Sequence, residues 1–125
     1  MTITHFVDHD RRELVATATG PVSYEEVRNH LLVERQEEGL SYPEIIDARA
    51  ATPAWSAAEA REIVTLLEAF GRKSVLGPTA VVVSSDVAYG MIRMFEILLQ
   101  DVCVVRPFRD YAAAEQWFKD LPRSA

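Results

Sequence analysis

The chain has 125 residues, 49% hydrophobic and 26% charged, which is ordinary globular usage and the length of one domain, 1–125. Its net charge of −6 argues against non-specific nucleic-acid binding, which needs a basic face, and against an anionic membrane surface. No apolar run approaches the roughly 20 residues of a membrane span and the N-terminus lacks the pattern of a signal peptide, while a single cysteine, Cys103, allows no internal disulfide, so a reducing, cytoplasmic setting is expected.

Residues 2–8 alternate apolar and polar around β-branched Ile3 and Val7 and predict a half-buried strand. A polar break, Asp8 to Arg12, precedes a second strand over 13–19, and the two most simply form a hairpin. Gly20-Pro21 then punctuates. Ser23 with Glu26 is a capping box that opens a helix through about Glu38, with Val27, Leu31 and His30 turned inward and Gly39 as its stop. Residues 44–48 predict a short third strand, and Arg49 to Trp55 a loop containing Pro53. Ser56 with Glu59 forms a second capping box, with Trp55 placed to pack on Ala60 as a hydrophobic staple. The helix it opens runs to about Phe70 on an apolar stripe of Ala60, Ile63, Val64, Leu67 and Phe70.

The continuous apolar run over 79–84 reads as a strand buried on both faces. Ser85 or Asp86 caps a third helix ending near Gln100. It is apolar around most of its circumference and polar only at Tyr89, Arg93, Glu96 and Gln100, so it is either sandwiched in the core or covered by a partner. A fifth strand is expected over 102–106, and Asp110 caps a last helix that stops before Pro122. The order β-β-α-β-α-β-α-β-α implies an α/β fold: a five-stranded mixed, mostly parallel sheet flanked by four helices. The strand order at the sheet edge stays open.

Four segments carry a family resemblance: Gly20-Pro21-Val22-Ser23-Tyr24-Glu25-Glu26, Ile46-Asp47-Ala48-Arg49, Tyr89-Gly90-Met91-Ile92-Arg93-Met94-Phe95, and Val105-Arg106-Pro107-Phe108-Arg109-Asp110 leading to Ala114-Glu115-Gln116-Trp117-Phe118. With the order of elements they resemble the SpoIIAA-like branch of the STAS superfamily, close in fold to the Sec14-like lipid-binding domains. The resemblance spans nearly the whole chain. It implies a regulatory interaction module without enzymatic activity. In anti-sigma-factor antagonists of that superfamily a serine near the start of the second helix is phosphorylated. Ser56 stands in the comparable place, followed here by Ala57-Ala58 rather than x-Gly.

Asp47 and Asp86 fall at or just past the C-terminal ends of strands, where open α/β sheets place their ligands. With Arg49, Ser85, Tyr89 and Arg93 they make a candidate polar pocket, and the two carboxylates are the only acid–base pair the pattern offers. Each also has a purely structural explanation: Asp86 as a helix-terminal acid, Asp47 as the partner of Arg49, Ser56 as a cap. His5 and His9 are four apart, a spacing that aligns ligands on a helix, but they fall on a strand and a turn, and His30 stands alone on a helix, so no metal is expected, and no cofactor is expected. Cys103 reads as a small buried hydrophobe. Gly90 inside the third helix, with Met91, Met94 and Phe95, marks a candidate dimer face or the wall of an apolar pocket. The leading expectation is a self-associating interaction module, a homodimer or the partner of another protein. The alternatives are a protein that binds a small apolar ligand or lipid between sheet and helices, and a small enzyme using Asp47 and Asp86.

Overall fold

A computed structural model describes residues 2–35, 41–73 and 75–122. The strands are β1 (Thr2–Asp8), β2 (Glu13–Ser23), β3 (Glu44–Ala54), β4 (Thr79–Val82) and β5 (Val105–Phe108). The helices are α1 (Tyr24–Asn29), α2 (Ala57–Gly71), α3 (Asp86–Leu98) and α4 (Tyr111–Asp120). They build the expected α/β fold. The strands lie in chain order, β1-β2-β3-β4-β5, with β1 antiparallel to β2 and every other pair parallel.

The hairpin forms with Thr2 opposite Thr19 and Asp8 opposite Glu13. Because each later crossover moves one strand along the same sheet in the same sense, right-handed connections lay α1, α2 and α3 on one face. Only α4, which follows the last strand, reaches the other face. The core is divided accordingly. Leu31, Ala60, Ile63, Leu67, Phe95 and Leu99 cluster under the three helices, while Ile45, Ala80 and Val82 pack on Ala114 and Phe118 of α4. The period-2 alternation of β3 and β4 sends Ile46, Val81 and Val83 to the first face and Ile45, Ala80 and Val82 to the second, which is why β4 is buried throughout.

Both capping boxes are complete. The Ser23 hydroxyl accepts from Glu26 N at 3.2 Å and Ser56 from Glu59 N at 3.1 Å, and each glutamate carboxylate accepts from its serine's N–H. Ser85, rather than Asp86, caps α3 by accepting from Ala88 N at 3.1 Å.

Several boundaries differ from expectation. β2 does not stop at Thr19 but passes through Gly20 (φ 69°) and Pro21 to Ser23. A register shift between Thr17 and Thr19 absorbs the bend. β3 likewise continues through Pro53 to Ala54, where the segment expected as a loop pairs with the extended β2. The first helix turns from α to π geometry over His30–Arg35, and its expected end, through Glu38 and Gly39, lies outside the described residues. β5 starts at Val105, not Val102, because the N–H groups of Val102 and Cys103 bond back to Leu99 O at 2.8 and 2.9 Å and wrap the end of α3. None of the helices among the described residues is long and apolar enough to cross a membrane.

Candidate functional site

Of the six polar residues picked out by sequence, Asp47, Arg49, Asp86 and Arg93 fall in three separate ion pairs, Ser85 caps α3, and Tyr89 lies under a guanidinium. Asp47 and Arg49 stand two apart on β3 and share the face toward α4. Arg49 Nε and Nη2 donate to Asp47 Oδ1 and Oδ2 at 2.9 and 2.8 Å, and the Arg49 N–H donates to Oδ1 at 3.2 Å. This fork holds the Asp47 carboxyl below its ordinary value against the opposing effect of burial, and raises Arg49 in turn. The Arg49 guanidinium lies 5.1 Å from the ring centre of Tyr111, whose hydroxyl burial pushes up. Ser84 Oγ donates to Arg49 O at 2.7 Å and ties the segment just past β4 to the middle of β3.

On α3, Asp86 pairs with Arg109 at 2.6 Å, and the same guanidinium lies 4.5 Å from the Tyr89 ring centre. Arg93 pairs with Glu96 one turn on. The Asp86 side chain is 90% exposed. Acid–base work by a carboxylate pair draws on burial of at least one member. Here one carboxylate is in solvent and each is engaged by its own arginine. Ser56 is exposed at the start of α2 and occupied in its cap. The candidate interface residues split between two sides of α3. Met91 faces the sheet and Phe95 is buried in the core, whereas Gly90 and Met94 face outward.

A well-defined concave feature lies elsewhere, between the sheet and α1–α3. A partly open cavity of about 170 Å³ is walled mainly by aliphatic and aromatic side chains of the sheet and of the helices on its first face. The sheet contributes Ile3, Ala18, Ile46, Val81 and Val105, and the helices contribute Val27, Leu31, Ile63, Met91 and Phe95. Trp55 closes part of the wall with its ring centre 6.5 Å from that of Phe95, and its buried Nε1 has no hydrogen-bond partner among the described residues. Two ionisable side chains stand in this wall as a pair. His30, in the first residue of the π turn, meets Glu44, the first residue of β3, with Nε2 and Oε2 2.7 Å apart and side chains only 5% and 1% exposed. The His5 ring sits edge-on to His30, 6.0 Å between centres. Sequence reading turned His30 inward but had no signal for Glu44, because the two are fourteen residues apart and only the α1–β3 crossover joins them. Among the described residues no group of three His, Cys, Asp or Glu side chains is placed to hold a metal ion.

A five-stranded sheet in which only the first strand is antiparallel, with four helices around it, is a SpoIIAA-like α/β fold. The crystal structure of an uncharacterised protein of the DUF3478 family from Shewanella loihica, described as having a SpoIIAA-like fold, superposes on this chain with a TM-score of 0.60 over 94% of each chain at 16% identity. No protein-family model and no curated protein matches the sequence.

Proposed function

We propose that this chain binds a small, largely apolar molecule in the cavity between the sheet and α1–α3. The cavity itself supports the reading. Protein interiors are packed with few voids larger than a water molecule. Removing side-chain volume from a core costs about 24 cal/mol per Å³ of space left, so about 170 Å³ left unfilled forgoes on the order of 4 kcal/mol of packing. That is a large fraction of the 5–15 kcal/mol stability of an ordinary domain. An engineered apolar cavity of about 150 Å³ stays dry and takes up benzene, so the space here suits a single ring or a short branched chain.

Two methionines on α3 provide the test. Met91 lines the cavity and Met94 faces outward. With ¹³C-methyl methionine, titration with ethylbenzene is expected to move the Met91 methyl resonance and leave Met94 in place, and Ala88→Leu, which adds volume to the same wall, is expected to weaken binding at least tenfold. Movement of Met94 alone, or of neither, would sink the reading.

A second reading, self-association, draws on a different observation. Val87 is 73% exposed, Met94 36%, Ile97 51% and Leu98 52%, all toward one side of α3. The occupant that fits is a second copy. Gly90 and Leu98 lie four residues to either side of Met94, and a Cβ at Gly90 would meet nothing within 4 Å. Antiparallel pairing about a two-fold axis at Met94 therefore sets each copy's Leu98 over its partner's Gly90. These side chains offer roughly 200 Å² of apolar surface per copy at the area implied by their transfer free energy. That is well below the about 800 Å² per partner of a standard interface, so the pairing is weak and concentration-dependent. Sedimentation across a concentration series should show a dimer at high concentration that Met94→Glu abolishes; a strict monomer throughout refutes it.

A further inference from the structure

We infer that the cavity ligand is uncharged, which excludes fatty acids and other carboxylates; this rests on the cavity reading above. Four observations point the same way. Among the described residues the wall carries no lysine, arginine or aspartate. Its only carboxylate is Glu44 and its only imidazole is His30, and these are already joined at 2.7 Å with almost no exposure. Arg49 and Arg109 are engaged by Asp47 and Asp86 and do not line the cavity. The chain as a whole carries a net charge of −6.

An anion entering this space would give up its hydration without gaining a cation, and would approach Glu44. A cation would meet no free carboxylate in the wall, since Glu44 is committed to His30. A neutral ring or branched hydrocarbon loses almost no hydration and gains the dispersion contacts that the lining offers. A hydroxyl or carbonyl can ride on such a ligand where it reaches the partly open side, but no uncommitted charged side chain among the described residues of the wall matches a full charge inside.

Three probes of nearly one shape separate the possibilities: ethylbenzene, phenylacetate and phenethylammonium, titrated at pH 7 into the full chain and followed at the Met91 methyl. The expected result is binding of ethylbenzene, with both ions at least a hundredfold weaker, because burying an unpartnered charge is far more costly than burying an unpartnered amide or hydroxyl. Phenylacetate or phenethylammonium within tenfold of ethylbenzene at Met91 overturns the neutral-ligand inference while leaving the cavity reading intact. No response at Met91 to any of the three overturns both. No variant is required, so misfolding cannot obscure the outcome.

Discussion

Replacing His30 with leucine tests whether the buried pair holds the first crossover in place. His30 Nε2 and Glu44 Oε2 are 2.7 Å apart and both side chains are nearly sealed, at 5% and 1% exposure. Such a pair gains little over well-packed apolar residues, but removing one member takes a short hydrogen bond from the other in a place almost closed to water. Breaking a buried pair by deleting one member costs about 3–5 kcal/mol, whereas replacing both by apolar side chains is neutral or stabilising by 1–4 kcal/mol. His30→Leu should therefore lose about 3–5 kcal/mol in urea unfolding, and the double variant His30→Leu, Glu44→Leu should recover most of it. The recovery is the diagnostic, because two independent core substitutions would add instead. The reasoning is refuted if the single variant loses less than about 1 kcal/mol, or if the double variant loses as much as the two singles together.

Three further outcomes follow from the geometry. Asp47→Asn should lose about 0.2–1 kcal/mol at neutral pH, since the Arg49 side chain is 50% exposed. The folded-state pKa of Asp47 is depressed, so this contribution is complete above the unfolded value near 3.8 and is lost as pH falls through the lower folded value; the stability gap between wild type and variant, measured by urea unfolding, should be flat from pH 7 to 5 and close in acid. Ser56→Ala should cost about 1 kcal/mol through loss of its half of the capping box, read as a fall in midpoint without a change in slope. Gly90→Ala should stabilise by about 1 kcal/mol because the site is open helix, whereas Gly77→Ala should destabilise strongly because a Cβ there would stand 2.1 Å from Tyr42 O; equal thermal shifts for the two would contradict the packing described.

Features set by near neighbours in the chain were readable from sequence. Each capping box is a serine and a glutamate three residues apart, and both are formed. The buried strand was visible because β4 is apolar on both faces, and the hairpin because Ile3 and Val7 alternate with polar residues. Local punctuation misled where pairing overrode it. Gly20-Pro21 and Pro53 read as breaks, yet they lie within strands because β2 and β3 pair with each other straight through them. The fifth strand was placed early because Val102 and Cys103 carry β-branched and apolar character while their N–H groups are taken by Leu99 O. Sequence offered Arg49 as the partner of Asp47 two residues away, and that pair forms, but Asp86 and Arg109 are far apart in the chain and only the crossover through α3 and β5 brings them together.

The third helix shows why the rest was hidden. Sequence offered two readings of a helix apolar nearly all round, sandwiched in the core or covered by a partner. The fold gives α3 two apolar sides of different status. Ala88, Met91, Ile92, Phe95 and Leu99 turn to the cavity, and Val87, Met94, Ile97 and Leu98 turn to solvent. Periodicity reports which side of an element is apolar; it does not report how much space lies opposite. The same cavity is lined by small residues from two strands, Ala18 of β2 and Ala48 and Ala51 of β3, and alanine satisfies a hydrophobic pattern as well as leucine does while leaving the volume unfilled. The two sides also make ligand binding and self-association independent in their first test. A methyl probe at Met91 reports on one and at Met94 on the other, three residues apart on the same helix.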